Sequence, residues 1–101
     1  MEKATVIEMV LFKTKEGFNT EDAQREIATL NSFLANQPGF ISRKTGMSDE
    51  GQYLDIVFWI DLNAAKTVSA KAMQDPNTMK IFSIIEQETM LFKHFQIFND
   101  I

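Results

Sequence analysis

The chain has no cysteine, two prolines, four scattered glycines, one histidine, one tryptophan and one tyrosine. The missing cysteines exclude disulfides, a thiolate nucleophile, iron–sulfur clusters and thiolate zinc sites together, and they are compatible with a reducing compartment. A single histidine leaves carboxylates as the remaining metal ligands. These follow no acidic-loop spacing, so neither a metal nor a cofactor is expected. The glycines form no phosphate-cradling loop. Positive charge is also scarce: 10 Lys and Arg against 14 Asp and Glu give a net charge of -4. Phosphate binding needs clustered Lys and Arg. The close basic pairs, Lys13/Lys15 and Arg43/Lys44, have acidic neighbours nearby, so nucleic acid is not an expected partner. No charged–apolar–small leader pattern opens the chain, and no apolar run approaches the ~18 residues that span a bilayer. The expectation is a cytoplasmic protein with no membrane partner.

What is present is apolar bulk. The 101 residues, read as one domain (1–101), are 45% hydrophobic and 24% charged, with nine Phe. Three runs, 6–12, 53–60 and 90–98, have the length and β-branched or aromatic content of strands. Side chains alternate across a strand, so Ile7, Met9 and Leu11 share one face with Leu54, Ile56, Phe58 and Ile60, almost purely hydrophobic. On the other face, Val6, Glu8, Val10 and Phe12 join Tyr53, Asp55, Val57 and Trp59, where charge is interleaved with bulk.

Between these runs lie helical patterns. Asn19 or Thr20 can cap a helix whose Ala23, Ile27, Leu30 and Leu34 recur on one face, and Asn36-Gln37-Pro38-Gly39 stops it. Phe40 to Met47 reads as a more polar edge strand, forming a hairpin with the strand at Tyr53 through Ser48-Asp49-Glu50-Gly51. Asn63 can cap a second helix through Met73. It is interrupted at Asp75-Pro76, an N-cap followed by a first-turn proline, and the last strand is expected to begin near Thr89. The order β-α-β-β-α-β predicts an α+β, ferredoxin-like fold: a four-stranded antiparallel sheet with helices on one face. The other face would be left bare. Two sheets packed face to face as a barrel would cover it, so a homodimer is expected.

Several short motifs, in this order and spacing, resemble the dimeric α/β-barrel superfamily. Val6 to Gly17 is similar to the opening of the stress-responsive α/β-barrel family. Pro38-Gly39-Phe40, Phe58-Trp59-Ile60-Asp61 and Asp75-Pro76 resemble that family and the antibiotic-biosynthesis monooxygenase-like family. The resemblance implies a dimeric barrel with a site between sheet and helices in each subunit. It also implies activities that include cofactor-independent oxygenation of quinols or aromatic polyketides, polyketide cyclisation and haem degradation. The histidines that such relatives carry in the first strand, the third strand and the helix break are replaced here by Glu8, Asp55 and Asp75-Pro76-Asn77-Thr78. A Trp and a His on the second helical segment are absent as well, which disfavours haem degradation.

Glu8 and Asp55 are therefore the sharpest catalytic candidates. Two carboxylates under a helical roof lose hydration and repel, and a raised pKa would suit one of them to act as a general base on an acidic phenol or activated C–H. The competing reading pairs each with Arg43, Lys44, Lys93 or a Tyr hydroxyl as structure. His94 is a third candidate for acid/base work if the strand register brings it to the same face; otherwise it is a strand-end residue near solvent. Tyr53, Trp59 and Phe12 could wall a flat aromatic ligand or fill a core, and Met73 and Met79 could line the same cleft. Two functional readings remain open: a protein that binds a small hydrophobic or aromatic molecule, with oxygenase-like proton-transfer chemistry, or a non-catalytic homodimer with a packed core.

Overall fold

The computed structural model describes residues 3–101. The chain runs β1 (Val6–Thr14), α1 (Thr20–Ala28), α2 (Leu30–Ala35), β2 (Phe40–Met47), β3 (Tyr53–Trp59), α3 (Leu62–Ala72), α4 (Pro76–Ser83) and β4 (Ile85–Gln96). Four antiparallel strands form one sheet in the order β2-β3-β1-β4, the ferredoxin-like arrangement expected from the strand and helix pattern.

Three of the four helices, α1, α3 and α4, start on a side-chain cap. Asn19 Oδ1 accepts from the Asp22 backbone N–H at 2.8 Å, Asp61 Oδ1 from Ala64 at 2.8 Å, and Asp75 Oδ2 from Thr78 at 2.9 Å. The cap of α3 is thus Asp61 and not Asn63, so the helix starts two positions earlier than the sequence pattern suggested. Pro76 at the first position of α4 matches expectation. The first helical region is divided at Thr29, yet Ala23, Ile27 and Leu34 remain buried and Leu30 half-buried on one side of the pair. The largest correction is β4, which begins at Ile85 rather than near Thr89. Ile85 and Glu86 still pair with Thr14 and Lys13 across a register shift, so the ladder extends through a bulge that periodicity does not reveal.

The turn into β2 depends on Gly39. Its φ is +84°, and a Cβ there would lie 2.5 Å from the Ala64 Cβ, so this glycine lets the strand start pass directly under α3.

The sheet has two unlike faces. Towards the helices, Val6, Phe12, Tyr53, Val57 and Trp59 are buried. On the opposite face Ile7, Met9, Leu11, Leu54, Ile56 and Phe58 are only half-buried, and Leu91 and Phe95 are exposed. The alternation of the two central strands thus divides as anticipated, with the purely apolar face left uncovered by the chain's own helices. The buried side chains form two clusters, one around Phe12, Ile27, Tyr53 and Ile81, the other around Val6, Leu34, Val57, Trp59 and Val68. Among the described residues, no helix is long and apolar enough to cross a membrane.

Candidate active site

A cleft of about 600 Å³ lies between the sheet and the helices. Its walls take Phe12, Ile27 and Ile81 from one core cluster and Leu34, Val57, Trp59 and Val68 from the other, so it separates the two. Glu8, Val10 and Phe12 run along its floor on β1. The four residue steps from Glu8 to Phe12 at ~3.3 Å each make that floor about 13 Å long. Met73, Met79 and Phe92 both line the cleft and stand about half exposed, so they rim its mouth. The volume falls in the range of small-molecule sites, which are mostly apolar with few polar groups.

One of those few polar groups is Glu8. It is opposite Val57 on β3 and opposite His94 on β4, so the register brings His94 to the helix-facing side of the sheet. His94 Nε2 lies 3.0 Å from Glu8 Oε1, and the Ser69 hydroxyl on α3 donates to that same oxygen at 3.3 Å. Among the described residues nothing bonds to Oε2, so the carboxylate of this cleft-lining residue is anchored through one oxygen only. Burial pushes the Glu8 carboxyl above its usual 4.5; the hydrogen bond and charge of His94 and the Ser69 bond offset part of that rise, and the charge of Asp55 adds slightly to it. A buried carboxylate with a raised pKa and one unsatisfied oxygen is a stronger base than a solvated one.

Asp55 is placed differently. It pairs across from Val10, diagonal to Glu8, and also lines the cleft. Both of its oxygens are taken by Arg43: Nε to Oδ1 at 3.0 Å and the terminal Nη2 to Oδ2 at 2.7 Å. Arg43 Nη1 also donates to the Ile27 carbonyl at 3.1 Å and to Asn31 Oδ1 at 2.8 Å. The guanidinium therefore ties β2, β3 and the α1/α2 region together, and a bidentate pair of this kind holds a carboxylate in place. Of the partners offered by the sequence, Asp55 has Arg43, whereas Glu8 has none of them and meets His94 instead.

The remaining candidates divide. Trp59, Phe12, Met73 and Met79 line the cleft. Tyr53 does not: it is buried in the core, stacked on Phe12 with ring centroids 5.4 Å apart. His94 sits behind Glu8, outside the cleft lining. Trp59 packs edge-on against Phe40 at 6.0 Å, and its indole N–H is buried with no partner among the described residues. Sequence reasoning missed Ser69; it offered Arg43 as one of several partners for a carboxylate without fixing which one it meets. Ser69 falls on the same stripe of α3 as Ala65, Val68 and Ala72, where a polar residue among small apolar ones is a readable signal. Arg43 reaches the helix side only because of an extra residue in β2 between Phe40 and Ser42, and no sequence pattern announces that bulge.

No protein-family model and no curated protein matches the sequence. Solved structures do match. A variant of SnoaB, a cofactor-independent oxygenase from Streptomyces nogalater, superposes with a TM-score of 0.80 at 18% identity, covering 96% of each chain. A proposed antibiotic biosynthesis monooxygenase from Bordetella bronchiseptica gives 0.78 at 14% identity, covering 96% of this chain and all (100%) of that one. This chain has their fold. A conserved protein of unknown function from Bacteroides thetaiotaomicron shares it too, with a TM-score of 0.66 at 18% identity over 94% of this chain and 99% of that one. The resemblance to the monooxygenase-like barrels read from short motifs thus holds at the level of fold. At such identities, activity has to be argued from the cleft itself.

Proposed function

We propose that this protein binds a small, elongated hydrophobic molecule, aromatic and quinol- or polyketide-like, in the cleft, and that Glu8 removes a proton from it in cofactor-independent, monooxygenase-type chemistry. The observation that carries this reading is the Glu8 carboxylate, anchored through Oε1 and open through Oε2 at the floor of a 600 Å³ apolar cleft. A packed-core structural protein has no need of such a volume. An activated CH2 beside an aromatic carbonyl would lose a proton to Oε2, leaving a delocalised carbanion that an apolar wall tolerates. Reaction with dioxygen would then convert the CH2 to a carbonyl: one oxygen atom enters the product, and the other leaves as water with the two hydrogens. Arg43 and Asp55 form a neutral, fixed wall, and Trp59 and Phe12 give flat surfaces for rings. The fold shared with the cofactor-independent oxygenase SnoaB supports the class.

The bare sheet face calls for a partner, and a second copy of the chain is the occupant we propose. Apolar side chains of this number on one side of a four-stranded sheet would otherwise form a large exposed patch. The binding half of the proposal is tested by titrating the protein with anthrone, hydroquinones and a saturated fatty acid while following Trp59 fluorescence and the thermal midpoint. Saturable quenching with a raised midpoint by the aromatic compounds is expected, and Ala72→Phe, which fills the cleft, should abolish it. Absence of binding by every compound would refute the reading.

A further inference from the structure

We infer that Glu8 and His94 form a proton exit from the cleft to the outer edge of the sheet, so that the proton taken from the ligand leaves through β4 and not through the cleft mouth. This rests on Glu8 being the base. The order of groups carries it. Glu8 lines the cleft and His94 does not, yet the two face each other across the β1–β4 ladder with Nε2 at 3.0 Å from Oε1. β4 is an edge strand, and the His94 side chain keeps 17% of its surface exposed. Between His94 and the mouth stands Phe92, whose ring meets the imidazole edge-on at 5.1 Å and itself lines the cleft. The histidine is therefore wet on one side and screened from the ligand on the other.

No other group offers the same route. From β3, Asp55 faces Glu8 but both its oxygens are held by Arg43. From α3, Ser69 contributes a hydroxyl, and Lys71 on the same helix reaches Gln37 instead. On β4, Gln96 donates to the Thr5 carbonyl and Lys93 points to the opposite face of the sheet. The transfer balances as follows. In the resting pair His94 Nε2–H donates to the Glu8 carboxylate. Once Glu8 has accepted the ligand proton on Oε2, the imidazole passes to its Nδ1–H tautomer by exchange with solvent, the carboxyl turns, and its proton moves to Nε2. The imidazolium releases its Nδ1 proton to water, which leaves the starting Nε2–H tautomer. Ser69 bonds the same oxygen as His94, so its hydroxyl lets go of Oε1 as the carboxyl turns and bonds Oε2 in its place.

The test uses anthrone as probe, in D2O without oxygen, with deuterium at its CH2 carbon measured by mass spectrometry. Wild-type protein should label the carbon, and Glu8→Gln should not. In His94→Gln, Glu8 still takes the proton but returns the same one, so labelling should fall at least tenfold while Trp59 quenching by anthrone is unchanged. Added imidazole should restore labelling to His94→Ala. Labelling by His94→Gln at the wild-type rate overturns the exit path and leaves Glu8 as base. A wild-type protein that binds anthrone without labelling it overturns Glu8 as base, and the exit path with it. A second readout needs no ligand: His94 is the only histidine, so its ring 15N signals are unambiguous. Glu8→Gln should change the Nε2 chemical shift, since the 3.0 Å contact to Oε1 changes character; unchanged ring signals overturn the path.

Discussion

Replacing Arg43 with Met should unfold this protein's cleft wall more effectively than any loss of charge at the surface could. The Arg43 and Asp55 side chains are 5% and 13% exposed, with Nη2 2.7 Å from Oδ2, so the pair is shielded from water. Two unit charges about 4 Å apart attract by roughly 4 kcal/mol at an effective dielectric near 20. Removing one partner from a buried pair costs about 3–5 kcal/mol, because the other charge is left without water or counter-charge. Arg43→Met also strips donors from the Ile27 carbonyl and Asn31. For a domain of this size each kcal/mol lowers the midpoint by roughly 4–8 °C, so a fall of at least about 12 °C is expected by calorimetry. Arg43→Met combined with Asp55→Leu should recover most of that loss, since an apolar pair of similar volume carries no stranded charge. A single-variant cost below about 1 kcal/mol, the range of solvated pairs, would refute the claim that the wall is dry.

Glu8 gives a pH prediction of opposite sign from the usual carboxylate. Its folded pKa lies above the ordinary 4.5, so the folded state favours the protonated form, and Glu8 takes stability away as pH rises from 4.5 through the folded value. Glu8→Gln should therefore be more stable than wild type at neutral pH, with the advantage vanishing below about pH 4.5, as measured by paired urea titrations. On the bare sheet face, Met9 and Ile56 are paired neighbours on the two central strands. Ile56→Glu should convert a dimer to a folded monomer in sedimentation experiments, and a wild-type protein that is already monomeric would contradict the proposed self-association.

The strand alternation was legible because side-chain period 2 and the need to cover apolar surface leave few options: Ile7, Met9 and Leu11 fall on one face and Val6, Glu8 and Phe12 on the other. Pairing register was not legible. Whether His94 meets Glu8 depends on how β4 slides along β1, and that alignment is fixed by a bulge near Leu11 and by an early strand start at Ile85. The same limit left Arg43 as one of several possible partners, because its sidedness is reversed by the extra residue in β2. Tyr53 could not be sorted from Trp59 by parity, since both share a face; stacking on Phe12 at the far end of the strand takes Tyr53 into the core. Glu8 and Asp55 were found from type and face alone, while their different fates follow from which neighbour arrives first, a histidine at the sheet edge or a guanidinium across the bulge.

The central claim is that Glu8 acts as a base inside the cleft, and oxygen uptake with anthrone tests it most directly. Wild-type protein should consume one dioxygen per anthrone converted to the quinone, above the spontaneous rate. Glu8→Gln should bind anthrone with unchanged Trp59 quenching and consume oxygen at the spontaneous rate only. Equal uptake by wild type and Glu8→Gln, with both binding the probe, would contradict the account.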